Sequence, residues 1–347
     1  MIVDRRQRLL WAIGMLGLAA ATGFFVFRNL NAEETVSTAQ PALPGFAMRA
    51  ADITEYAITT PNGAYRLSKG DARWVIIERG GFPASAQQVQ NLAAGLANIR
   101  LERKLTTDPK KFAALRLTDP RQRGNGILIQ ALDAQGLERA ALLTAPYGEE
   151  LAVRFPGDSV AYVAKALLPP LDNPAAFADF RVLSVPPERV HSVELVYAAG
   201  GAVTLLRPKP TAAFAPNSRQ APLPYDALAL ATTPLTPFDV KEAPFEAQKG
   251  NLGERRITTF DGLVVTMQFD KRADAIWTTI SAGGGGSTNE ALAINSHTSG
   301  WQFALPLKDE MSLFPASLDA TAKPTPPQTL RTAQTDAVIE PEDAAVE

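Results

Sequence analysis

The chain has 347 residues, of which 46% are hydrophobic and 20% are charged, enough for one or two soluble domains with their own cores. Its formal net charge of -2 provides no global basic field that would attract nucleic acid. The sequence has no cysteine, which excludes disulfides, thiolate metal sites and a cysteine nucleophile, and its only two histidines are His191 and His297.

A long apolar segment lies close to the N-terminus. Residues 9–27 read LLWAIGMLGLAAATGFFVF, 19 residues without a charge. At about 1.5 Å per residue, a helix of this length spans roughly the 30 Å hydrocarbon core of a bilayer. Arg5, Arg6 and Arg8 precede it, so the positive-inside rule predicts residues 1–8 in the cytoplasm and the rest of the chain outside.

A cleaved signal peptide is the alternative for the same segment. Ala19-Ala20-Ala21 offers a small-residue cleavage site. The apolar run continues past this site to Phe27, however, and is longer than a usual signal-peptide core. The sequence therefore favours an uncleaved transmembrane helix.

The first half of the remaining chain alternates between apolar and polar residues, as β-strands do. Residues 53–60 (ITEYAITT) and the following AYRLSKG flank a Pro-Asn-Gly turn, which predicts a hairpin. Ser85 is a candidate N-cap for a helix reaching to about Lys104, with an apolar stripe on one face. Further strands are predicted over 126–133, 137–145, 151–155 and 159–165.

The second half repeats this pattern about 137 residues later. VHSVELVYAAGGAVTLLRP matches the first hairpin, so that Ile53 aligns with Val190 and Tyr56 with Val193. A second hairpin, RITTFDGLVVTMQF, has Asp261-Gly262 at its turn and corresponds to residues 126–145. These matches predict a tandem duplication of a β-rich α+β unit.

The predicted fold class is therefore α+β, with an N-terminal transmembrane helix followed by a duplicated extracytoplasmic region. The last residues are rich in proline, alanine and acid, and we expect them to be disordered. The predicted segments are a cytoplasmic N-terminus (1–8), a transmembrane helix (9–27), a polar stalk (28–50), a first repeat (51–183), a second repeat (184–317) and a disordered tail (318–347).

The order of these features resembles a known family. RLERKLTTDPKKFAALRLTDP, AVRFPGDSVAYVAK and FADFRVLSVPPERVHSVELVY follow one another between residues 100 and 197, and INSHTSGWQFALP follows near the C-terminus. This order resembles the bacterial DUF4340 family, membrane-anchored proteins of unknown function. The resemblance implies an association with ABC-type transporter components of the gliding-motility kind, and it implies no catalytic residues.

No standard catalytic or metal-binding motif is present. The sequence lacks H-E-x-x-H, a P-loop and G-x-S-x-G. Asp108 and Asp119 precede proline and Asp158 lies in a Pro-Gly turn, so capping and turn formation explain them. Neighbouring residues such as Ser296 and His297 rarely form a catalytic pair. We predict no catalytic residue, no cofactor and no metal.

One charged cluster is the candidate site. Arg100, Arg103 and Lys104 form a basic patch that we place at a helix end. They either complement the helix dipole or contact an anionic polymer or lipid headgroup.

Three functions remain open. The leading hypothesis is a non-enzymatic accessory or scaffold protein of the bacterial inner membrane, its soluble region in the periplasm. Its partners would be membrane subunits of an ABC-type transport or envelope-biogenesis system. The alternative is a binding module for an envelope glycan or lipid, and the least favoured is a hydrolase with an unrecognised site.

Overall fold

The computed structural model of the chain describes residues 35–218, 223–243, 251–285, 288–316 and 318. In this part of the chain two antiparallel β-sheets follow one another, with short helices and 3₁₀ turns between the strands. The fold is thus mostly β-sheet with a few helices, which confirms the α+β class.

The first sheet has ten strands in the order β1-β6-β10-β9-β8-β7-β2-β3-β4-β5. They are β1 (Thr35–Pro41), β2 (Ile53–Thr60), β3 (Gly63–Lys69), β4 (Trp74–Ile76), β5 (Phe82–Pro83), β6 (Arg100–Thr106), β7 (Ile127–Asp133), β8 (Glu138–Tyr147), β9 (Glu150–Arg154) and β10 (Ala161–Lys165). Helices α1 (Phe46–Arg49) and α2 (Ala86–Asn98) belong to the same half of the chain.

The second sheet has eight strands in the order β13-β12-β11-β15-β16-β17-β18-β14. They are β11 (Val190–Tyr197), β12 (Ala202–Leu206), β13 (Ala215–Pro216), β14 (Asp239–Glu242), β15 (Asn251–Thr259), β16 (Val264–Lys271), β17 (Ile276–Gly283) and β18 (Trp301–Leu305). Helices α3 (Tyr225–Leu230), α4 (Thr288–Thr298) and α5 (Glu310–Leu313) complete this half.

The two sheets have the same strand order. In the first sheet β6-β10-β9-β8-β7-β2-β3-β4 are neighbours, and in the second β14-β18-β17-β16-β15-β11-β12-β13 are neighbours. Strands β2, β3 and β4 correspond to β11, β12 and β13. Strands β7 to β10 correspond in order to β15 to β18, and β6 corresponds to β14. With this correspondence, strands that are neighbours in the first sheet are also neighbours in the second. Strands β1 and β5 are additional in the first sheet, and α4 is additional in the second.

The first hairpin of each sheet also has the same register. Tyr56 pairs with Leu67 in β2–β3, and Val193 pairs with Leu205 in β11–β12. All four side chains are buried. Because a slip of one residue would turn each strand's apolar set towards solvent, the shared burial pattern fixes the shared register.

A second match lies at the turns after β7 and β15. The Asp133 carboxylate accepts a hydrogen bond from the backbone N–H of Leu137 at 2.9 Å. The Thr259 hydroxyl accepts one from the N–H of Leu263, also at 2.9 Å. The two turns thus close with the same hydrogen bond, made by different side chains. Each has a glycine with positive φ just before the closing residue, which suits the left-handed conformation.

Both halves contribute to one continuous apolar core. Helix α2 packs its buried residues Val89, Leu92 and Leu96 into this core, on the stripe that the sequence predicted. Its start is also as predicted, since the Ser85 hydroxyl accepts a hydrogen bond from the N–H of Gln88 at 3.4 Å.

The helix ends earlier than predicted. It stops at Asn98, and residues 100–106 form β6 instead of a last helical turn. The Asn98 side-chain amide donates to the carbonyl of Ala94 at 2.9 Å, and Ile99 is extended and fully buried. Pairing of β6 with two neighbouring strands outweighs the helical pattern of charges that the sequence shows.

The polar stalk expected over residues 28–50 also differs from the structure. Residues 35–41 form the edge strand β1, and Phe46 is buried in the main core. An edge strand needs backbone pairing more than apolar side chains, which explains why a polar sequence can form one. The buried Leu318 likewise packs in the main core at the start of the expected tail.

The N-terminal segment 1–8 and the predicted transmembrane helix 9–27 lie outside the described residues, as do residues 28–34 and 319–347. Within the part of the chain that the structure describes, no helix is both long and apolar enough to cross a bilayer.

Candidate functional site

The structure divides the predicted basic patch between two faces of the first sheet. Arg103 lies opposite Val163 of β10, and Lys104 lies opposite Tyr162. Neighbouring residues of a strand point to opposite faces, so these two cations diverge. Arg100 lies opposite Lys165, two residues from Val163, and therefore shares the face of Arg103.

One member of the patch has an acidic neighbour. An Arg103 guanidinium nitrogen lies 3.8 Å from a Glu150 carboxylate oxygen, and the guanidinium carbon lies 6.0 Å from the centre of the Tyr147 ring. The three predicted residues therefore do not form a single anion-binding surface.

A larger concentration of positive charge lies in the loop between β6 and β7, residues 107–125, here called the basic loop. It contains five basic and two acidic residues, a net charge of +3, whereas the whole chain has a net charge of -2. Its basic residues are all exposed: Lys110, Lys111, Arg116, Arg121 and Arg123.

The two carboxylates of the basic loop are used in its own turns. Asp108 accepts a hydrogen bond from the backbone N–H of Lys110 at 3.0 Å, as expected for a cap. Asp119 accepts one from the N–H of Arg121 at 2.9 Å and also pairs with its guanidinium, at 2.7 Å. Hydrogen bonds from the Arg121 side chain lower the pKa of Asp119. Both acids therefore serve as caps.

The basic loop is fixed to the sheet by buried contacts. Phe112 and Leu117 pack in an apolar cluster with residues of β7 to β10. The Arg154 guanidinium donates to the carbonyl of Leu117 at 2.9 and 3.1 Å and to that of Asp158 at 2.9 Å. Its carbon also lies 4.7 Å from the centre of the Phe112 ring. The loop is therefore held in one conformation, with its basic side chains outward.

Sequence reasoning did not recognise this loop as a charged surface. The two Asp-Pro pairs predict turns, and the structure confirms both as capped 3₁₀ turns. A count of charges in a sliding window would have found the five basic residues. The sequence does not show that the loop carrying these residues packs on one face of the sheet, because that depends on contacts with β7 to β10.

The two sheets meet at a seam with polar and aromatic contacts. The Arg79 guanidinium binds the Asp239 carboxylate through two hydrogen bonds, of 2.9 and 3.1 Å. Next to this pair, the Phe82 ring packs edge-on against Trp301 and Phe303. The seam is thus closed by a bidentate ion pair and an aromatic cluster.

His297 belongs to this seam. It lies in α4, and its Nε2 is 3.0 Å from the carbonyl oxygen of Asp179. The Ser296 hydroxyl donates instead to the carbonyl of Ala293 at 2.8 Å. Ser296 and His297 therefore do not face each other.

A small groove runs along the seam beside His297. It measures about 210 Å³ and is lined in part by Arg181, Ile294 and Glu290. Hydrogen bonds from the Arg181 side chain lower the pKa of the nearby Asp179. That carboxylate stays ionised near neutral pH, which does not suit a general acid.

A wider cleft of about 510 Å³ lies where β2 begins, lined among others by Arg49, Asp52, Asp133 and Arg139. Burial alone would raise the pKa of Asp133, but hydrogen bonds from Leu137, Arg139 and Gln135 outweigh it and lower the pKa. The Asp133 carboxylate is therefore held by its turn and is not poised for proton transfer.

One further cation is fully buried. Arg255 of β15 has no exposed surface, and its guanidinium donates to the carbonyls of Leu228 at 2.6 Å and Leu313 at 2.9 Å. Burial lowers the pKa of Arg255 to about 10, so it remains charged at neutral pH. Its partners lie in α3 and α5, which makes it a shared cap for two short helices.

Among the described residues, no group of three or more acidic or histidine side chains is placed to hold a metal ion.

The comparisons with known proteins identify the class of this chain. The model of DUF4340, a domain of unknown function, matches residues 74–229. Residues 74–229 therefore form a DUF4340 domain, as the order of elements indicated, and this match covers most of the first sheet and the first strands of the second. No curated protein and no solved structure matched the chain significantly.

Proposed function

We propose that this chain is a non-enzymatic accessory or scaffold protein, anchored in the bacterial inner membrane by residues 9–27. Its two-sheet body would lie on the periplasmic side and act by contact with membrane subunits of an ABC-type transport or envelope-biogenesis system. The anchor would raise the effective concentration of the body next to those subunits.

The observation that carries this proposal is the charge pattern of the N-terminus. Nineteen uncharged residues follow the three arginines among the first eight residues, the pattern of a helix that enters with its N-terminus in the cytoplasm. The resemblance to DUF4340, which implies an association with transporter components, supports this proposal. The capped or paired state of Asp108, Asp119 and Asp133 also agrees with it.

We further propose that the body is a tandem duplication, with repeats over 51–183 and 184–317. The shared strand order, the shared register of the first hairpins and the shared turn bond support this. The repeats differ in what lies between equivalent strands. The first has the basic loop between β6 and β7, and the second has α4 between β17 and β18. Partner contacts that involve one repeat only would use these additions.

The test is crosslinking of the tagged full-length chain in cells, followed by gentle detergent extraction and mass spectrometry of what copurifies. A parallel sample replaces residues 1–28 with a cleavable export signal. Transporter subunits recovered with the anchored form alone would support the proposal. Recovery of no protein partner in either sample would refute it.

A binding module for an envelope glycan or lipid is the second candidate. The groove beside His297 favours it, because it lies where the two sheets meet and has both signs of charge on its walls. Its volume of about 210 Å³ is below the roughly 300 Å³ at which small-molecule sites begin, so it would hold one sugar ring or part of a longer chain. Peptidoglycan fragments that protect the groove from hydrogen exchange would support this candidate.

A further inference from the structure

The basic loop and the start of the chain's body lie at the same edge of the first sheet. Strand β1 begins with Thr35 opposite Arg103, and β6 ends three residues later at Thr106, where the basic loop starts. At about 3.3 Å per residue, the loop therefore begins roughly 10 Å from the first paired residue of β1.

The distance to the predicted membrane helix is also short. Seven residues, 28–34, separate it from β1. A fully extended chain covers at most about 3.5 Å per residue, so Thr35 lies no more than about 28 Å from Phe27, the last residue of the predicted helix. If the helix spans the bilayer, the edge from which the basic loop leaves stays close to the lipid headgroups.

The face of the sheet that carries the loop also has basic residues of its own. Arg103 lies opposite Val163, and Val163 lies opposite Ala152 on the next strand. Ala152 packs in the same cluster as Phe112 and Leu117 of the loop. Residues directly opposite in a sheet share a face, so Arg103 and the loop lie on one side, and Arg100 joins them.

We propose that the basic loop docks on anionic phospholipid headgroups of the membrane that holds the anchor, so that the body lies against the bilayer in one orientation. This rests on the proposed function, because it requires the anchor. Lys110, Lys111, Arg116 and Arg123 are exposed and supply the charge, while Asp108 and Asp119 are occupied as caps. Buried contacts hold the loop in its conformation. Docking therefore costs little backbone conformational entropy.

The size of the effect follows from the charge. Each basic side chain close to an anionic membrane surface favours the bound state by about fivefold. The net charge of +3 therefore favours the docked orientation by about a hundredfold over a neutral surface. Salt screens such contacts over about 8–10 Å, so the effect depends on ionic strength.

The experiment uses the full chain in vesicles. Because the chain has no cysteine, Ala114→Cys in the exposed part of the loop provides a single site for a fluorescent donor. The acceptor is a headgroup-labelled lipid. Vesicles are made of phosphatidylcholine alone or with about one third phosphatidylglycerol, and energy transfer is measured as salt is raised.

We expect transfer at least twofold higher in the anionic vesicles at low salt, falling to the phosphatidylcholine value at high salt. The variant K110E/K111E/R116E/R123E, carrying the same label, should show no lipid dependence. The matched control K69E/R73E/K209E/K308E reverses four exposed basic residues outside the loop and should behave as the parent chain.

Equal transfer in the two lipids, or loss of the lipid dependence in the control variant, would overturn the docking surface. If the loop variant is not folded by circular dichroism, the salt dependence of the parent chain decides. Extraction with alkaline carbonate comes first. A chain that leaves the vesicles refutes the anchor and the docking together, whereas a chain that stays without lipid-dependent transfer refutes the docking alone.

Discussion

Arg255 should be one of the most sensitive positions for stability in the second sheet. It is fully buried, no carboxylate among the residues that the structure describes pairs with it, and its guanidinium satisfies carbonyls at the ends of two short helices. In Arg255→Met the side chain keeps much of its volume, but the Leu313 carbonyl loses its donor and the Leu228 carbonyl keeps only the backbone N–H of Ala231, at 3.5 Å. The substitution therefore separates hydrogen bonding from packing.

The magnitude follows from those two bonds. A buried carbonyl left without a partner costs about 1–3 kcal/mol. Removing a buried cation also removes the desolvation penalty of burying it, which offsets part of this loss. We therefore expect Arg255→Met to lower the free energy of unfolding by about 3 kcal/mol. At about 2–4 °C per kcal/mol, the melting temperature should fall by about 6–12 °C.

The assay is thermal unfolding of the full chain in detergent micelles, followed by tryptophan fluorescence. The matched control is the next residue on the same strand. Arg256→Met removes a cation that is 46% exposed and pairs with Glu194 and Glu254, both at 2.8 Å. Such surface pairs contribute less than about 1 kcal/mol. A variant at Arg255 that melts at or above the parent temperature would refute the capping role.

Three further outcomes are expected. A double-mutant cycle on Arg79 and Asp239, by alanine substitution and thermal unfolding, should give a coupling energy of about 1 kcal/mol, and zero coupling would remove this pair from the forces that close the seam. Gly95→Ala should destabilise the chain, because its Cβ would lie 2.4 Å from the backbone carbonyl oxygen of Leu167. An unchanged melting temperature would show that the backbone of residues 167–169 moves away to make room for it. Hydrogen bonds, first from the Thr259 hydroxyl and then from a guanidinium, lower the pKa of Asp261 to about 2. Because the folded pKa lies below the unfolded value of 3.8, this stabilisation is complete above pH 3.8 and lost as the pH falls through 2, so the difference in melting temperature between the parent and Asp261→Asn should vanish over that range.

Several parts of the fold were predictable because they depend on local order. The alternation in residues 53–60 and the turn after Thr60 predicted the first hairpin, and the structure has it as β2 and β3. The stripe of Val89, Leu92 and Leu96 predicted α2. In these cases the same residues that form the element also carry its periodicity.

Other parts depended on partners distant in the chain. The basic residues after Asn98 continue a helical pattern, yet β6 pairs with β10, some 60 residues later. As neighbours on a strand, Arg103 and Lys104 point to opposite faces of the sheet, so the predicted basic patch is not a single surface. Similarly, the polar segment 35–41 became an edge strand because β6 offered a free edge.

The sequence by itself determined the charge pattern of the N-terminal segment, the similar strand patterns about 137 residues apart that suggest a repeat, and the order of elements that resembles DUF4340. These are properties of neighbouring residues, and no tertiary contact is needed to recognise them. Only the tertiary structure decided which cations are buried, as Arg255 is, and which share one face, as those of the basic loop do. The reason is physical: the position of a charge relative to the core and to other charges depends on strand pairing between residues far apart in the chain.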